Sequence, residues 1–293
     1  MRMLLHWKQS PRLAMTALVG VTAVWGWTFL IVKDAIQDMP VMDFLAVRFT
    51  LAAVVMLVLR PACLSHMSGR GWWHGTVLGA LIGMAYITQT QGLLYTSPAI
   101  SGFITGMSVV FTPVFAWVLL RHKLSAHSLL AVGLACAGLA LLSLHGWAFG
   151  TGELLTLACA VFVALHIIGL GKWSAKHDSY GLAFIQVGIM AVISLVAAAP
   201  GGIAIPPDFN IWVTIGITAV LATAVAFFVQ TWAQSLVSPN YIAVVLTMEP
   251  VFAGIFSVAF GGERMTIRTI LGILCVLSAM LITQLKLEMH REA

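Results

Sequence analysis

Residues 240–260 read NYIAVVLTMEPVFAGIFSVAF, a run of 21 residues that contains a single charge, Glu249. A helix needs about 20 predominantly apolar residues to cross the roughly 30 Å hydrocarbon core of a bilayer. The run meets that length, so it predicts a membrane-spanning helix and sets the class of fold for the rest of the chain.

Nine further apolar runs accompany this one. They cover residues 13–32, 44–59, 75–95, 99–120, 128–147, 154–171, 181–199, 211–235 and 269–285. The alternation of apolar and polar residues that is typical of a membrane β-barrel is absent. The sequence therefore predicts an all-α polytopic membrane protein with ten transmembrane helices.

Charged residues are scarce in this chain. Lys, Arg, Asp and Glu make up 9% of the 293 residues, and apolar residues make up 60%. Soluble domains carry about 25% charged residues, because their surface faces water. Only Arg48 and Glu249 fall inside the ten runs. This pattern excludes a soluble protein, and we interpret the formal net charge of +5 as a signal of orientation, not of nucleic-acid binding.

The basic residues divide unevenly between the two sides of the predicted membrane. Eleven Lys and Arg residues fall on the side of the termini, and three fall on the other side. Cytoplasmic loops carry such an excess. We therefore predict a multi-pass protein of the inner (plasma) membrane with both termini cytoplasmic. The first run is longer than a secretory signal segment and has no clear cleavage site, so we expect it to be retained.

A short motif recurs in the two halves of the chain. Pro-Val-Phe-Ala occupies residues 113–116 in the fourth run and residues 250–253 in the ninth, and a Ser-Pro pair precedes each run. Aligning the Ser-Pro pairs displaces the two motifs by four residues, about one helical turn. Chance recurrence of the motif is the alternative. The ten apolar runs, however, divide into two groups of five, with one copy of the motif in each group. We predict two five-helix repeats, residues 1–148 and 149–293.

An odd number of helices in each repeat makes the second repeat insert upside down relative to the first. Inverted repeats are the plan of many secondary transporters, which bind their solute near the bilayer midplane between the repeats. The sequence thus points to transport as the function.

Further motifs carry a family resemblance. They are WGWTF at 25–29 with Lys33 after it, LAVRF at 45–49, TMEPVF at 247–252, GGERMT at 261–266, and Gly272. With them the chain resembles, over nearly its whole length, the EamA branch of the drug/metabolite transporter superfamily. The resemblance implies ten-helix export of small metabolites such as amino acids, without indicating which solute. The first half departs from the pattern, since it reads Arg121-His122-Lys123 where the second half has Gly-Glu-Arg.

Three residues are candidates for coupling or gating. A charge at the position of Glu249, near the bilayer middle, is costly and needs a partner, water or a proton. Glu249 is either a proton- or solute-coupled carboxylate or a structural group that serves the backbone at Pro250. The other charge within a run, Arg48, has four interpretations: snorkelling to the interface, an ion pair with a nearby aspartate (Asp34, Asp38 or Asp43), a contact with a solute carboxylate, or, if the two residues lie at the same depth, a pair with Glu249.

Polar and aromatic residues inside the other runs are candidates for the wall of a solute cavity. They are Trp25, Trp27, Tyr86, Gln89, His166, Gln230 and Gln234. Such side chains turn away from lipid, toward a cavity or toward neighbouring helices, so packing and interhelical hydrogen bonding are the alternatives. Glycines at 75, 79 and 83 and at 102 and 106 predict close helix packing.

No cofactor or metal is expected. The chain lacks a Walker motif for ATP, its four cysteines form no CxxC pair, and Cys159 lies two helical turns from His166, which is too far for two ligands of one ion.

We predict a secondary transporter that exports a small organic metabolite by alternating access, with the solute, the bilayer and protons as its partners. An uncoupled facilitator or exchanger of the same solute class is the alternative within transport. An integral-membrane enzyme or a channel is the alternative outside it, but few groups converge for catalysis and no filter motif is visible.

Overall fold

Apolar α-helices make up nearly all of the structure. The computed structural model describes residues 10–65, 67–120, 126–145, 148–237, 242, 245–262 and 264–289. Within these ranges the α-helices are α1 (Pro11–Asp38), α2 (Val41–Leu59), α3 (Gly69–Leu93), α4 (Pro98–Gly106), α5 (Ser108–Leu120), α6 (Ala126–Ser143), α7 (Thr151–Trp173), α8 (Ser179–Ala198), α9 (Phe209–Ala219), α10 (Ala226–Leu236), α11 (Met248–Ala259) and α12 (Ile267–Met289).

Short elements connect some of these helices. A π turn (Val220–Val225) joins α9 to α10, and single 3-10 turns cover Pro61–Leu64, Ser174–Lys176 and Ala199–Gly201. Strands β1 (Leu144–His145) and β2 (Ala148–Phe149) pair antiparallel between α6 and α7.

Side-chain caps fix where several helices begin. A Ser or Asp side chain at the N-cap accepts a hydrogen bond from a backbone N–H of the first turn, which satisfies a donor that has no partner within the helix. The caps are Ser10 (α1), Ser68 (α3), Ser97 (α4), Asp178 (α8) and Asp208 (α9).

Five described segments are long and apolar enough to cross a membrane. They are Pro11–Asp38, Val41–Leu59, Thr151–Lys176, Ser179–Gly201 and Phe209–Leu236. Shorter apolar helices cover Pro98–Thr112, Leu129–Gly138, Met248–Ala259 and Ile267–Ile282. The predicted all-helical, apolar class of fold is confirmed, while the number of ten crossings stays a prediction.

Four of the runs predicted as continuous helices contain an irregular residue or turn, or end earlier than predicted, so the prediction is wrong at these points. The helix predicted over 99–120 is interrupted at Met107, and the one over 240–260 has a turn at Thr247. Pro250 lies in the first turn of α11, where its missing N–H costs no hydrogen bond and where its ring prevents a helix from continuing unchanged. The helix predicted over 211–235 contains the π turn, and the one over 128–147 ends at Ser143.

Glycines bring the helices of the two predicted repeats into close contact. A methyl group on Gly92 of α3 would lie 2.8 Å from the carbonyl oxygen of Gly152 on α7. A methyl group on Gly79 would lie 2.8 Å from the carbonyl oxygen of Gln186 on α8. Lipid chains are as apolar as the helices, so association in a membrane depends on such close packing. The glycines thus place α3 directly against the second repeat.

Candidate solute cavity

A cavity lies among the helices of both predicted repeats. The empty space between these helices, counted together with the open solvent at its mouth, is about 850 Å³. Residues from α1 to α5 line one side, and residues from α7, α10 and α11 line the other, together with Leu246 just before α11.

Aromatic rings form one wall of this cavity, and Phe227 of α10 is their common neighbour. Its ring centroid lies 6.3 Å from that of Trp25, 6.1 Å from that of Tyr86 and 6.4 Å from that of His166. All four side chains line the cavity. The four rings therefore offer apolar surface to a solute.

The π turn holds two residues of the cavity wall. The indole Nε1 of Trp25 donates to the carbonyl oxygen of Ala222 at 2.8 Å, and Nε of Arg48 donates to Oγ1 of Thr223 at 3.1 Å. Thr223 Oγ1 in turn donates to the carbonyl oxygen of Thr218, five residues earlier. π turns are rare and occur frequently at functional sites, and this one joins α1 and α2 to the second repeat.

Arg48 is buried on the cavity wall, with 2% of its surface exposed. Its guanidinium carbon lies 4.9 Å from the ring centroid of Tyr86 and 5.3 Å from that of Phe49, both within the range of cation–π contacts. The interpretations of Arg48 as a snorkelling residue or as the partner of a nearby aspartate are wrong. The side chain does not reach the surface, and among the described residues no carboxylate lies within ion-pair distance of it.

Glu249 also lines the cavity, from the first turn of α11. A carboxylate is favourable at this end of a helix because the backbone N–H groups point toward it. The next residue, Pro250, is buried against α4, where Gly106 leaves room for its ring. Residues that line the cavity lie next to both interruptions. Gly106 and Ser108 flank Met107, and Leu246 and Glu249 lie on either side of Thr247.

His166, Gln89 and Gln230 are the remaining predicted residues on the wall. Nε2 of His166 lies 2.7 Å from Oε1 of Gln186, an acceptor, so a neutral His166 carries its proton on Nε2. Its Nδ1 is buried without a hydrogen-bond partner and is an acceptor that faces no described donor. Nε2 of Gln89 donates to Oγ1 of Thr105 on α4 at 3.1 Å.

Three predicted candidates lie off the cavity wall. Trp27 is half-buried on another face of α1, about 200° around the helix from Trp25. Gln234 is buried one turn beyond Gln230 and does not line the cavity. Pro250 supports α4 from behind the wall. The structure therefore brings together Trp25, Arg48, Tyr86, Gln89, His166, Gln230 and Glu249.

Other lining residues were missed by sequence reasoning. They include Phe29, Thr105, Ser108, Cys159 and Phe227. An apolar or small side chain on a wall looks the same in sequence as one in a helix contact, so only the packing distinguishes them. Cys159 and His166 share the wall, and no group of three metal-ligating side chains comes together within the described ranges.

Comparisons with known proteins identify the family. The model of the EamA-like transporter family matches residues 12–144 and again residues 150–285, so the motif-based resemblance is confirmed. An uncharacterized transporter of Archaeoglobus fulgidus is 32% identical over 273 residues, which cover 92% of this chain and 85% of that protein. The uncharacterized transporter YoaV of Bacillus subtilis is 22% identical over 286 residues, 89% of this chain and 93% of its own length.

A solved structure shares the fold. One crystal structure aligns with a TM-score of 0.65 at 18% sequence identity, over 92% of this chain and 96% of that one. With two matches of one family model along the chain, apolar helices and a cavity lined by both matched regions, the chain belongs to the EamA-like transporter family, a family of integral membrane proteins that move small solutes.

Proposed function

We propose that this protein is a ten-helix secondary transporter that exports a small organic metabolite, in the class of amino acids and related compounds, by alternating access. Its two five-helix repeats, residues 1–148 and 149–293, have inverted orientations in the inner membrane. The excess of Lys and Arg on one side supports a cytoplasmic position for both termini.

The single observation that carries the proposal is the cavity, which residues of both matched regions line together. Two interrupted segments, at Met107 and Thr247, reach it from opposite repeats, and each contains a Pro-Val-Phe-Ala motif shortly afterwards. Carriers built from inverted repeats bind their solute between the repeats, near the bilayer midplane. A solute in this position contacts both repeats and is released to either side as they move against each other.

Glu249 is the proposed coupling residue. It lines the cavity beside Pro250, whose ring packs on α4 of the other repeat. Gain or loss of a proton at Glu249 changes the charge of the wall at the same point where the two repeats touch. An uncoupled facilitator or exchanger would need no such change, so the dependence of transport on a proton gradient separates the two forms of the proposal.

The test is counterflow in proteoliposomes that contain the purified protein. Vesicles are loaded with one unlabelled metabolite from a panel, and uptake of the same labelled compound is followed with and without a pH gradient. We expect at least one compound to show transient accumulation above equilibrium, driven by its own outward gradient. Protein that is folded by size-exclusion chromatography yet moves no compound of the panel would contradict a carrier function.

A further inference from the structure

Arg48 has an unsatisfied hydrogen-bonding group on the cavity wall. Its Nε donates to Thr223 and the guanidinium also hydrogen-bonds to Tyr86, but its Nη2 is buried and has no hydrogen-bond partner among the described residues. An isolated buried charge is costly unless it is paired. Arg48 nonetheless has fixed neighbours: its guanidinium lies over the rings of Tyr86 and Phe49, and the π turn accepts a hydrogen bond from it. The wall therefore contains a cation with one N–H group, Nη2, that lacks a hydrogen-bond partner among the described residues.

We propose that Arg48 binds a carboxylate of the transported solute, and that Thr223 in the π turn positions it to do so. This inference rests on the proposed transport function and names the chemistry of the solute. A guanidinium presents N–H groups in a planar fork that matches the two oxygens of a carboxylate. With Nε bonded to Thr223, Nη2 is the donor of the fork that has no hydrogen-bond partner among the described residues.

The other lining residues determine which carboxylates fit. Arg48 is the single Lys or Arg on the described cavity wall, and Glu249 lies on the same wall. A dianion such as phosphate would leave one charge without a partner, so a monocarboxylate matches the site better. Trp25, Phe29 and Phe227 offer apolar surface to the remainder of the solute. The expected solute is a single carboxylate on a compact, partly apolar body.

Thr223 acts through Arg48 and not by contact with the solute. Two residues of the π turn accept hydrogen bonds from the first repeat. Thr223 Oγ1 accepts from Arg48 Nε, and the carbonyl oxygen of Ala222 accepts from Trp25 Nε1. One irregular turn in the second repeat thus orients two side chains of the first. Thr223→Val removes the acceptor and nearly preserves the shape of the side chain, so it tests the positioning role with little change in packing.

The experiment compares acids with their carboxamides. The twenty common amino acids, each paired with its α-carboxamide, and the pair 3-phenylpropionate and 3-phenylpropionamide are used in the counterflow assay. We expect the wild-type protein to prefer the acid by about 10- to 100-fold in its transported pairs, the size of a charge-assisted hydrogen bond. Arg48→Gln should remove this preference, and Arg48→Lys should keep part of it, because lysine retains the charge but not the fork.

Two further variants separate binding from folding. Thr223→Val should raise the half-saturation concentration for acids and leave that for amides unchanged, an effect that a purely structural role would not produce. Arg70→Gln, at an exposed position outside the cavity, is the matched arginine control and should retain the full preference.

The outcomes distinguish the inference from the function on which it rests. Transport without preference for acids, or a preference that survives in folded Arg48→Gln, would overturn the role of Arg48 and leave the carrier function standing. Movement of no compound at all by folded wild-type protein would count against both.

Discussion

A proton gradient can act on the cavity through Glu249, because Glu249 is the single acidic residue on the described wall. Glutamine has nearly the same shape but cannot exchange a proton. We therefore expect Glu249→Gln to abolish the pH dependence of transport between about pH 5.5 and 8.5, a range in which a perturbed carboxyl group can titrate. Initial counterflow rates over this range are the measurement.

The matched control for Glu249 is Glu153. This glutamate is buried, at 3% exposure, accepts a hydrogen bond from Oγ1 of Thr96 at 2.8 Å, and does not line the cavity. Glu153→Gln should keep the pH profile of the wild-type protein. If folded and active Glu249→Gln also keeps that profile, Glu249 is structural and coupling lies elsewhere.

Sequence reasoning at the residue scale identified the two charges of the cavity wall but not their surroundings. Arg48 and Glu249 stand out because charges within apolar runs are rare. The partner of Arg48 is a threonine 175 positions away, and no local pattern predicts that contact. Trp25 and Trp27 looked equivalent in sequence, and only the rotation of α1 against the π turn places one of them on the wall.

His177 connects the end of α7 to the start of α3. Its Nε2 lies 2.8 Å from Nδ1 of His74, which stacks on Trp173. Burial lowers the pKa of His177 below the ordinary value of 6.5, and the positive charge of Lys176 lowers it further. For His74, burial and the positive charges of His177, Lys176, Arg70 and Lys172 act in the same direction.

This pair predicts a loss of stability in mild acid. A histidine whose pKa is lowered by folding binds protons more readily in the unfolded chain, so the free energy of unfolding decreases as the pH falls below about 6.5. The thermal midpoint should therefore drop between about pH 7.5 and 5.5, and the drop should be smaller in His177→Gln. Equal drops in both proteins would show that other groups cause the acid sensitivity.

At the scale of elements, the apolar runs predicted where helices occur but not where they are interrupted. Length and hydropathy identify a helix, since a bilayer requires about 20 apolar residues. The turn at Thr247 could be anticipated from Pro250, which cannot continue a helix unchanged. The π turn at Val220–Val225 has no proline or glycine to mark it, and its hydrogen bonds to α1 and α2 come from residues far away in sequence.

The contact between α3 and α7 makes a prediction about Gly92. A methyl group at this position would lie 2.7 Å from Oγ1 of Thr156 and 2.8 Å from the carbonyl oxygen of Gly152. Because backbone cannot move aside cheaply, Gly92→Ala should reduce the free energy of unfolding by about 1–3 kcal/mol. Unfolding of the protein in detergent micelles, followed by circular dichroism against denaturant, measures the change.

Gly188 of α8 is the matched control, since a methyl group there would meet nothing within 4 Å. Gly188→Ala should be neutral or stabilise the helix by up to about 1 kcal/mol, because alanine has the higher helix propensity. Equal stability of Gly92→Ala and Gly188→Ala would contradict the close approach of α3 and α7.

At the scale of the whole molecule, the two matched regions of the chain build one cavity between them. The sequence predicted this division from a repeated motif and from the scarcity of charges. It could not predict the solute, because recognition depends on where a few side chains converge. The proposed transport function requires this cavity to open alternately to the two sides of the membrane.

Cys159 can report from which side of the membrane the cavity is accessible, since it lies on the cavity wall and is 1% exposed. The measurement uses a chain in which Cys63, Cys136 and Cys275 are replaced by alanine, in right-side-out and inside-out vesicles. A membrane-impermeant methanethiosulfonate is added to one side only, and a chain without any cysteine is the control. We predict that Cys159 reacts from either side, more slowly in the presence of a transported solute, while the vesicles stay sealed to the reagent. Reaction from one side only, or from neither side in folded protein, would contradict alternating access.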